Sequence, residues 1–292
     1  MTNYALCIDF GGTKVDVGIG THDGEIVYKE RLWVRNFCSA SSIVAAVIDV
    51  GHRLMQNTDV QGIGVSTMGI TTDNGVQLAP NVPGWSDLHL PTYFHDAFPR
   101  CSIVIENDVR AACLAEMTWG SLRGASHAAY LNLGTGIAIA FVFNGELWSG
   151  AHGAAGEIAY YYQPGEPGFS HGNAPFEEQF GGGGLNRRIH STFPPLTSVS
   201  DLFVHLDDQR VRTFVNKVFG SIAQRVGIAL MTVDVDVVSI GGGVAQQFQH
   251  IAPIFLEEWH TYIPFPPRLI PSRFLHDVGL YGALALVVRS IV

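Results

Sequence analysis

The chain has 292 residues, 47% of them hydrophobic, and carries 17 basic against 26 acidic side chains. This length and apolar content suit one large domain or two ordinary ones with a sizeable core, and they argue against a disordered chain. The net charge of −9 disfavours a general binder of nucleic acid or anionic membranes, because such partners repel an acidic surface.

The sequence predicts neither a secretory leader nor a membrane span. The N-terminal residues lack a basic segment followed by an apolar run and a small-residue cleavage site. The longest uncharged stretch, residues 125–145, contains polar residues and central glycines, so we interpret it as two buried strands. The four cysteines lie far apart, which fits reduced thiols. We therefore expect a cytoplasmic protein with no membrane partner.

The first predicted elements are three strands, over residues 4–10, 14–20 and 26–34, with turns at 11–13 and 21–25. The Asp-Gly pair in the second turn favours a hairpin, because both residues tolerate positive φ. An amphipathic helix over 39–55 follows, opened by Ser39 or Ser41. Strands at 61–69 and 102–108 and a helix over 107–122, opened by Asn107 or Asp108, then indicate the α/β class.

The strand–turn–strand–turn–strand pattern recurs from residue 127, with Gly134-Thr135-Gly136 in its first turn and Asn-Gly in its second. Two copies of one pattern predict a duplicated unit. Residues 160–175 are rich in proline and glycine and predict a long ordered loop. A long helix over 208–233 and an apolar strand over 235–240 come next, and a third glycine cluster, residues 241–243, ends that strand.

The glycine turns predict a nucleotide site, because a tight turn between strands aims backbone N–H groups outward, where they can bind phosphate. Gly11 and Gly12 allow close approach, while Thr13 and Lys14 add donors. Asp9, at the end of the first strand, could hold Mg²⁺ through water. Either turn alone is as easily a plain hairpin, but two turns, Asp9 and the third cluster together favour a nucleotide. The G-x-G-x-x-G and Walker patterns are absent, so neither a Rossmann nor a P-loop fold is indicated.

Six segments carry a resemblance to a known family: IDFGGTKVDVGI, PNVPGW, ENDVRAACLAE, NLGTGIAIAFVFNGELWSGAHGAAGEI, SIGGGV and HDVGLYGALAL. Over nearly its whole length the chain resembles ROK proteins, which are bacterial sugar kinases and sugar-responsive repressors. FNGELWSGAHGAAGE and DLFVH are most similar to D-allose kinase-like members. The resemblance implies a duplicated actin-like (ribonuclease H-like) α/β ATPase fold with two lobes and a central cleft. We expect a smaller lobe of residues 1–110 plus 278–292 and a larger lobe of 111–277.

The resemblance also implies residue roles. Asp108 becomes the catalytic base for phosphorylation of a hexose hydroxyl, which we expect to be O6, although its position alone suits a helix cap equally well. The implied sugar contacts are Asn81, Asn107, Asp108, Glu157, Tyr160 and Glu177. The implied contacts to ATP and Mg²⁺ are Asp9, Gly11, Gly12, Thr13, Lys14, Gly134, Thr135, Gly136, Gly241, Gly242 and Gly243.

The positions that bind structural zinc in the family are changed here. The histidine position is Tyr160, and the three cysteine positions are Gly168, Ser170 and Pro175, none of which supplies imidazole or thiolate. We therefore expect no zinc site and a loop held by aromatic packing instead. Tyr160 would replace a sugar-contacting imidazole. The glycine run 181–184 predicts a mobile helix start.

The leading hypothesis is an ATP- and Mg²⁺-dependent sugar kinase, acting as a homodimer on a small-molecule sugar and without nucleic acid. A sugar-responsive repressor is disfavoured, because the first strand begins at Tyr4 and leaves no room for an N-terminal helix-turn-helix. A kinase for an amino sugar, or for a phosphorylated or β-linked disaccharide, remains open. So does a non-catalytic sugar sensor, against which Asp9 and Asp108 argue.

Overall fold

The computed structural model describes residues 3–72, 75–77, 84–85, 87–162 and 174–291. The strands are β1 Tyr4–Phe10, β2 Lys14–Thr21, β3 Ile26–Trp33, β4 Val60–Thr67, β5 Ile70–Thr72, β6 Gly75–Gln77, β7 Ser102–Asn107, β8 Ala128–Leu133, β9 Ile137–Phe143, β10 Glu146–Trp148, β11 Val237–Gly241 and β12 Arg268–Pro271. The helices are α1 Ala40–Met55, α2 Leu90–Ala97, α3 Asp108–Thr118, α4 Pro175–Phe180, α5 Gly182–Thr192, α6 Val199–Val204, α7 Gln209–Val233, α8 Phe248–Tyr262 and α9 Val278–Ile291.

Two five-stranded sheets share one topology. The first has the order β3-β2-β1-β4-β7, and the second has the order β10-β9-β8-β11-β12. In each sheet the first three strands in sequence are joined as antiparallel hairpins, and the two later strands pair in parallel. The duplicated α/β architecture expected from the sequence repeat is therefore confirmed.

The chain divides into two compact units. The first unit contains Met1–Trp119, Ser149–Ala154 and His276–Val292, and the second contains Gly120–Trp148 and Ala155–Leu275. The first unit thus extends past the boundary expected at residue 110, and it also takes in residues 149–154. The physical reason at α3 is close helix packing, since a Cβ at Gly282 of α9 would lie 2.6 Å from the carbonyl carbon of Ala111.

Small residues let α9 lie directly on the first sheet. A Cβ at Gly64 of β4 would overlap the carbonyl group of Ala283, so a larger residue there would push the helix away. Leu280, Leu284 and other apolar residues of α9 are buried against the alanine and cysteine side chains of β1. None of the helices in the described ranges is both long and apolar enough to cross a membrane.

The other face of the first sheet packs against α1 and α2. Apolar residues of β1, β2 and β4 form a buried cluster with Val44 and Val47 of α1 and Phe94 of α2. Helix α1 begins with a capping box in which Ser39 accepts a hydrogen bond from the Ser42 N–H. Of the two candidates named from the sequence, Ser39 is therefore the cap.

The second unit has its own core around α7 and α8. Val215, Phe219 and Ile222 of α7 are buried together with Phe255 and Trp259 of α8. The indole N–H of Trp259 donates to the carbonyl of Ala223 at 2.9 Å, which satisfies the polar atom of this fully buried ring.

Candidate functional site

Asp9 lies at the carboxyl end of β1 in a row of polar residues across three strands. Parallel pairing sets it opposite Ser66 of β4, which is in turn opposite Glu106 of β7. The Ser66 hydroxyl donates to Asp9 Oδ1 at 3.1 Å. At the start of α9, a Cβ on Gly279 would overlap the Asp9 carboxyl group, so only glycine fits there. Helix α9 therefore packs directly on this carboxylate. Gly279 makes this close packing possible, which the sequence did not reveal.

The environment of Asp9 raises its pKa to about 7. Burial is the main cause, followed by the negative charge of Asp108, with a smaller contribution from Asp16. The hydrogen bond from Ser66 and the charge of Lys14 act in the opposite direction. Asp9 and Asp108 are thus close enough for their charges to interact, and a divalent cation would relieve the repulsion between them.

In the first glycine turn, some backbone groups are hydrogen-bonded within the protein and others are exposed to solvent. The Gly11 N–H donates to the carbonyl of Lys14 at 3.0 Å, and the Thr13 carbonyl accepts from Val34 N–H at 3.0 Å. Gly12 and Thr13 are exposed, and within the part of the chain that the structure describes no group accepts a hydrogen bond from either N–H. Two adjacent outward N–H groups fit a phosphate oxygen.

Lys14 is held by an ion pair that the sequence did not predict. Its Nζ lies 3.2 Å from Oδ2 of Asp16, whose side chain is 1% exposed. Arg31 donates to both carboxylate oxygens of Asp16, at 2.6 and 2.8 Å. Burial alone would raise the pKa of Asp16, but the hydrogen bonds from Arg31 and the charge of Lys14 outweigh it and keep that pKa below its usual value.

Asn107, one of the expected sugar contacts, has a structural role at the start of α3. It is the N-cap of α3, and its side-chain oxygen accepts from Val109 N–H at 3.0 Å and from Arg110 N–H at 3.1 Å. Its amide nitrogen donates to the carbonyl of Gly69 at 2.8 Å, and the residue is buried. Since Asn107 caps the helix, Asp108 is the first residue inside it, half-buried, and is not the cap.

Arg110 organises this region and was missed by the sequence analysis. The residue is 2% exposed, and its guanidinium donates to Oε1 of Glu106 at 2.7 and 2.9 Å and to the Thr71 hydroxyl at 3.0 Å. It also donates to the carbonyl of Gly153. One buried side chain therefore joins β7, β5 and residues 149–154. The only available signal was a charged residue in an otherwise apolar helix face.

In the second unit, the turn between β8 and β9 is held by the glycine run at the start of α5. The Gly182 N–H donates to the Gly134 carbonyl at 2.9 Å, and the Gly183 N–H donates to the Thr135 carbonyl at 3.2 Å. A Cβ at Gly182 would lie 2.5 Å from the Gly134 oxygen. The glycines allow the backbone at the start of α5 to contact the backbone of the turn between β8 and β9. The sequence instead predicts a mobile start for this helix.

The third glycine cluster lies against the same turn. Gly242 has a φ of 88°, and a Cβ there would overlap the carbonyl of Leu133. A Cβ at Gly241 would overlap the Tyr130 hydroxyl, whereas Gly243 is exposed and has open space around it. The structure thus brings together the second and third glycine clusters, as a shared nucleotide role requires.

Glu177, Tyr160 and Glu157 form a group in the second unit. Glu177 Oε2 accepts from the Ile137 N–H at 3.1 Å, so this carboxylate supports the second turn. Burial raises the pKa of Glu177, and this hydrogen bond only partly offsets the effect. Burial also raises the pKa of Tyr160, with further contributions from the negative charges of Glu157 and Glu177.

Aromatic packing holds α4, the helix that follows the loop in which the family's zinc ligands are changed. The rings of Phe176 and Phe180 are 5.3 Å apart, and Tyr161 stacks on Phe176 at 6.2 Å. The guanidinium of Arg225 lies 4.9 and 4.8 Å from the two phenylalanine rings. Asn81, Gly168 and Ser170, which were also predicted from the sequence to matter, lie outside the described residues, and the absence of zinc stays a prediction.

Comparison with known proteins identifies the family of this chain. The model of the ROK family matches residues 5–290. The chain belongs to the ROK family. It is 24% identical to a glucokinase of Thermotoga maritima, over 97% of each protein. It is 26% identical to a beta-glucoside kinase of Listeria monocytogenes, over 94% of each. The match to an uncharacterized protein of Clostridium perfringens is 32% identical but spans 54% of this chain and 55% of that protein.

Solved structures share this ROK fold. A ROK family protein from Streptococcus pneumoniae, solved in complex with sucrose, superposes with a TM-score of 0.84 at 20% identity, covering 100% of this chain and 99% of that one. A ROK family glucokinase from Streptomyces griseus, solved with glucose and AMPPNP, gives 0.81 at 18% identity, covering 97% and 99%. At these identities the likeness establishes the actin-like ATPase fold.

Proposed function

We propose that this ROK protein is an ATP-dependent sugar kinase that phosphorylates a hexose hydroxyl, expected to be O6, with Asp108 as the catalytic base. The observation that carries the proposal is the charge-coupled pair of Asp108 and Asp9 beside an open glycine turn. The full-length match to kinases of glucose and of beta-glucosides supports the same reaction class.

Asp108 accepts the proton of the sugar hydroxyl as the new P–O bond forms, which is the ordinary work of a general base in this chemistry. Its position at the start of α3, close to Asp9, supports this role. Asn107 is the N-cap, and Asp108 Oδ1 also accepts from the Val109 N–H at 2.9 Å, a hydrogen bond that asparagine at position 108 can accept as well. Asp9 lies nearby and is fixed by Ser66 and by the close approach of Gly279.

The residues fit a nucleotide and a cation. Bound ATP would supply the transferable phosphoryl group, and Mg²⁺ would neutralise part of its charge. Asp9 would hold the cation through water, and the N–H groups of Gly12 and Thr13 would donate to phosphate oxygens. Lys14, fixed by Asp16, adds positive charge at the same turn. In the second unit, the turn 134–136 and the cluster 241–243 are the matching candidates.

Glu157, Tyr160 and Glu177 are the proposed sugar contacts in the second unit, because carboxylates and a phenol pair well with neighbouring hydroxyls. Glu177 would have a second task, since it also supports the turn at Ile137. We expect a neutral hexose as substrate, with D-allose among the candidates. A beta-glucoside or an amino sugar is the alternative, and a homodimer is the expected assembly.

The test is an ADP-release assay with hexoses, amino sugars and glucosides, comparing wild type with Asp108→Asn. The variant keeps the Asn107 cap, so it should fold normally while kcat falls by roughly 10²–10⁴. Asp49→Asn, the same change at an exposed position of α1, is the control and should behave as wild type. Near-normal turnover by Asp108→Asn would refute the assignment of the base. Sugar binding without any turnover in the wild type would instead indicate a sensor.

A further inference from the structure

A cavity of about 770 Å³ lies at the β7 edge of the first sheet. Its lining comes from β7, from the β5–β6 hairpin, from α2, from Arg110 of α3 and from residues 149–153, all of which belong to the first unit. Ile103 and Ile105 supply an apolar floor, while Thr71 and Glu106 supply polar groups. This size and this mixture of surfaces are typical of a small-molecule site.

Glu106 is a fixed hydrogen-bond acceptor in the lining of the cavity. All of its hydrogen bonds to described residues are made by Oε1, which binds the Arg110 guanidinium, the Thr71 hydroxyl and the Asn107 N–H. The side chain is 17% exposed, and within the described ranges no donor reaches Oε2. A largely buried carboxylate oxygen beside a cavity is stabilised by a ligand hydroxyl.

The charge balance of the cavity selects a neutral ligand. The only cation among its described lining residues is Arg110, and that guanidinium is already paired with Glu106. The remaining titratable lining groups, His95 of α2 and His152, are exposed. A phosphorylated sugar would find no uncommitted positive side chain here, whereas a neutral polyol could place C–H groups on the isoleucines and a hydroxyl on Glu106.

The position of the cavity relates it to the proposed reaction. Asp9, Ser66 and Glu106 are register partners on adjacent strands, so Glu106 is two strand spacings, about 10 Å, from Asp9. Glu106 also directly precedes Asn107 and Asp108 in the chain. The carboxylate that lines the cavity is therefore about 10 Å from Asp9, a distance that a disaccharide with its reacting hydroxyl at Asp108 can span.

We propose that this cavity is a subsite for the second, uncharged ring of a disaccharide substrate, with Glu106 as its polar anchor and Arg110 as the residue that positions Glu106. The inference rests on the proposed kinase activity and extends its acceptor from a neutral hexose to a neutral disaccharide. It favours the neutral disaccharide over the phosphorylated one among the alternatives that the sequence left open.

The test uses substitutions that place larger side chains at exposed positions in the lining of the cavity. His95→Trp and Ala151→Phe each add volume at an exposed lining position and are expected to leave the fold intact. Asp96→Trp, the neighbouring exposed position on α2 that is not among the lining residues, is the matched control. For each protein, kcat/KM is measured with glucose, cellobiose and sucrose, and the binding of the same sugars is measured by calorimetry.

The wild type should bind and phosphorylate at least one of the two disaccharides. His95→Trp and Ala151→Phe should lower kcat/KM for that disaccharide by about tenfold or more, while kcat/KM for glucose changes less than about twofold. Asp96→Trp should change neither value.

Failure of the subsite and failure of the kinase proposal give different results. A wild type that phosphorylates glucose but neither binds nor phosphorylates cellobiose or sucrose would overturn the subsite and leave the kinase standing. Equal losses for glucose and disaccharide in the filled variants would also overturn it. If no sugar is phosphorylated, the kinase proposal fails, and disaccharide binding that does not respond to His95→Trp then refutes the subsite as well.

Discussion

The two glycine turns occupy equivalent places in two sheets of the same topology, yet they are supported in different ways. The first turn, between β1 and β2, is flanked by charged side chains, with Lys14 paired to Asp16 and Asp16 to Arg31. The second turn, between β8 and β9, is held mainly by backbone contact with the glycines that begin α5 and with Gly242, together with a single carboxylate, Glu177, which accepts from the Ile137 N–H. Duplication of a fold therefore does not duplicate the interactions that fix its functional turns.

This difference has physical consequences. Support by ion pairs depends on protonation and on salt, and it tolerates side-chain changes next to it. Support by touching backbones is insensitive to charge but leaves no space for a Cβ. The two turns should therefore respond to different perturbations.

The largest effect is expected at Gly242 in the second turn. Alanine there would combine a positive φ with overlap between its Cβ and the Leu133 carbonyl, so Gly242→Ala should lower the free energy of unfolding by roughly 3 kcal/mol. Gly243→Ala is the matched control, because a Cβ at that position meets nothing within 4 Å. Urea unfolding of both variants measures the difference. Equal stability of the two would show that the second turn is not held by backbone contact.

The next effect concerns the charged environment of the first turn. The pKa of Asp9 is raised from 3.8 to about 7, so the folded state binds this proton more tightly than the unfolded state does. The resulting stabilisation is complete below about pH 4 and is lost as the pH rises towards 7. Asp9→Asn should therefore match the wild type near pH 4 and exceed its unfolding free energy at pH 8, without Mg²⁺ or nucleotide. The full shift corresponds to about 4 kcal/mol, and because Asp9 is only half-buried, solvent screening should reduce the difference to about 2 kcal/mol.

Urea unfolding across that pH range measures the effect. A wild type that is as stable as Asp9→Asn at pH 8 would contradict the raised pKa. Addition of Mg²⁺ with ATP should remove the wild-type disadvantage at pH 8, because the ionised carboxylate then has a cation to bind.

Much of the fold followed from local signals in the sequence. The strands on both sides of each glycine turn, the cap at Ser39 and the repeat itself depend on residues close together in the chain, and the structure confirms them. Of the site, the sequence predicted the glycine clusters, and the structure brings the second and third together.

The remainder depended on contacts between distant segments. Gly279 touches Asp9 from the other end of the chain, and Glu177 reaches the Ile137 N–H across 40 positions. The cap formed by Asn107 is a different case, since a polar side chain before a helix predicts a cap and a ligand contact equally well, and the structure shows the cap. The spacing of apolar residues in α3 did not predict that Arg110 would be buried and hydrogen-bonded to Glu106.

A smaller effect is expected at the exposed Gly12 of the first turn. Valine would place a β-branched side chain where phosphate must approach the N–H groups, so affinity for Mg²⁺·ATP should fall by about tenfold. Stability and sugar binding should change little, in contrast to Gly242→Ala. Calorimetry on one preparation, with nucleotide and with sugar in separate titrations, distinguishes a specific loss of nucleotide affinity from a general loss of binding. Unchanged nucleotide affinity would make the first turn a plain hairpin.

The smallest effect on stability is expected from metal removal. It tests whether aromatic contacts take the place of the family's structural zinc beside the second turn. The family's ligand positions here are Tyr160, Gly168, Ser170 and Pro175, which supply neither thiolate nor imidazole. The neighbouring α4 is instead held by contacts among the rings of residues 161, 176 and 180, and Glu177 connects it to the second turn. Structural zinc contributes directly to folding energy, so a strong chelator unfolds a protein that depends on it. We expect purified protein to carry no stoichiometric zinc and to keep its Tm in the chelator, although activity should require added Mg²⁺. One tightly held zinc per chain, together with unfolding in the chelator, would show that the second turn depends on a metal rather than on backbone and aromatic contacts alone.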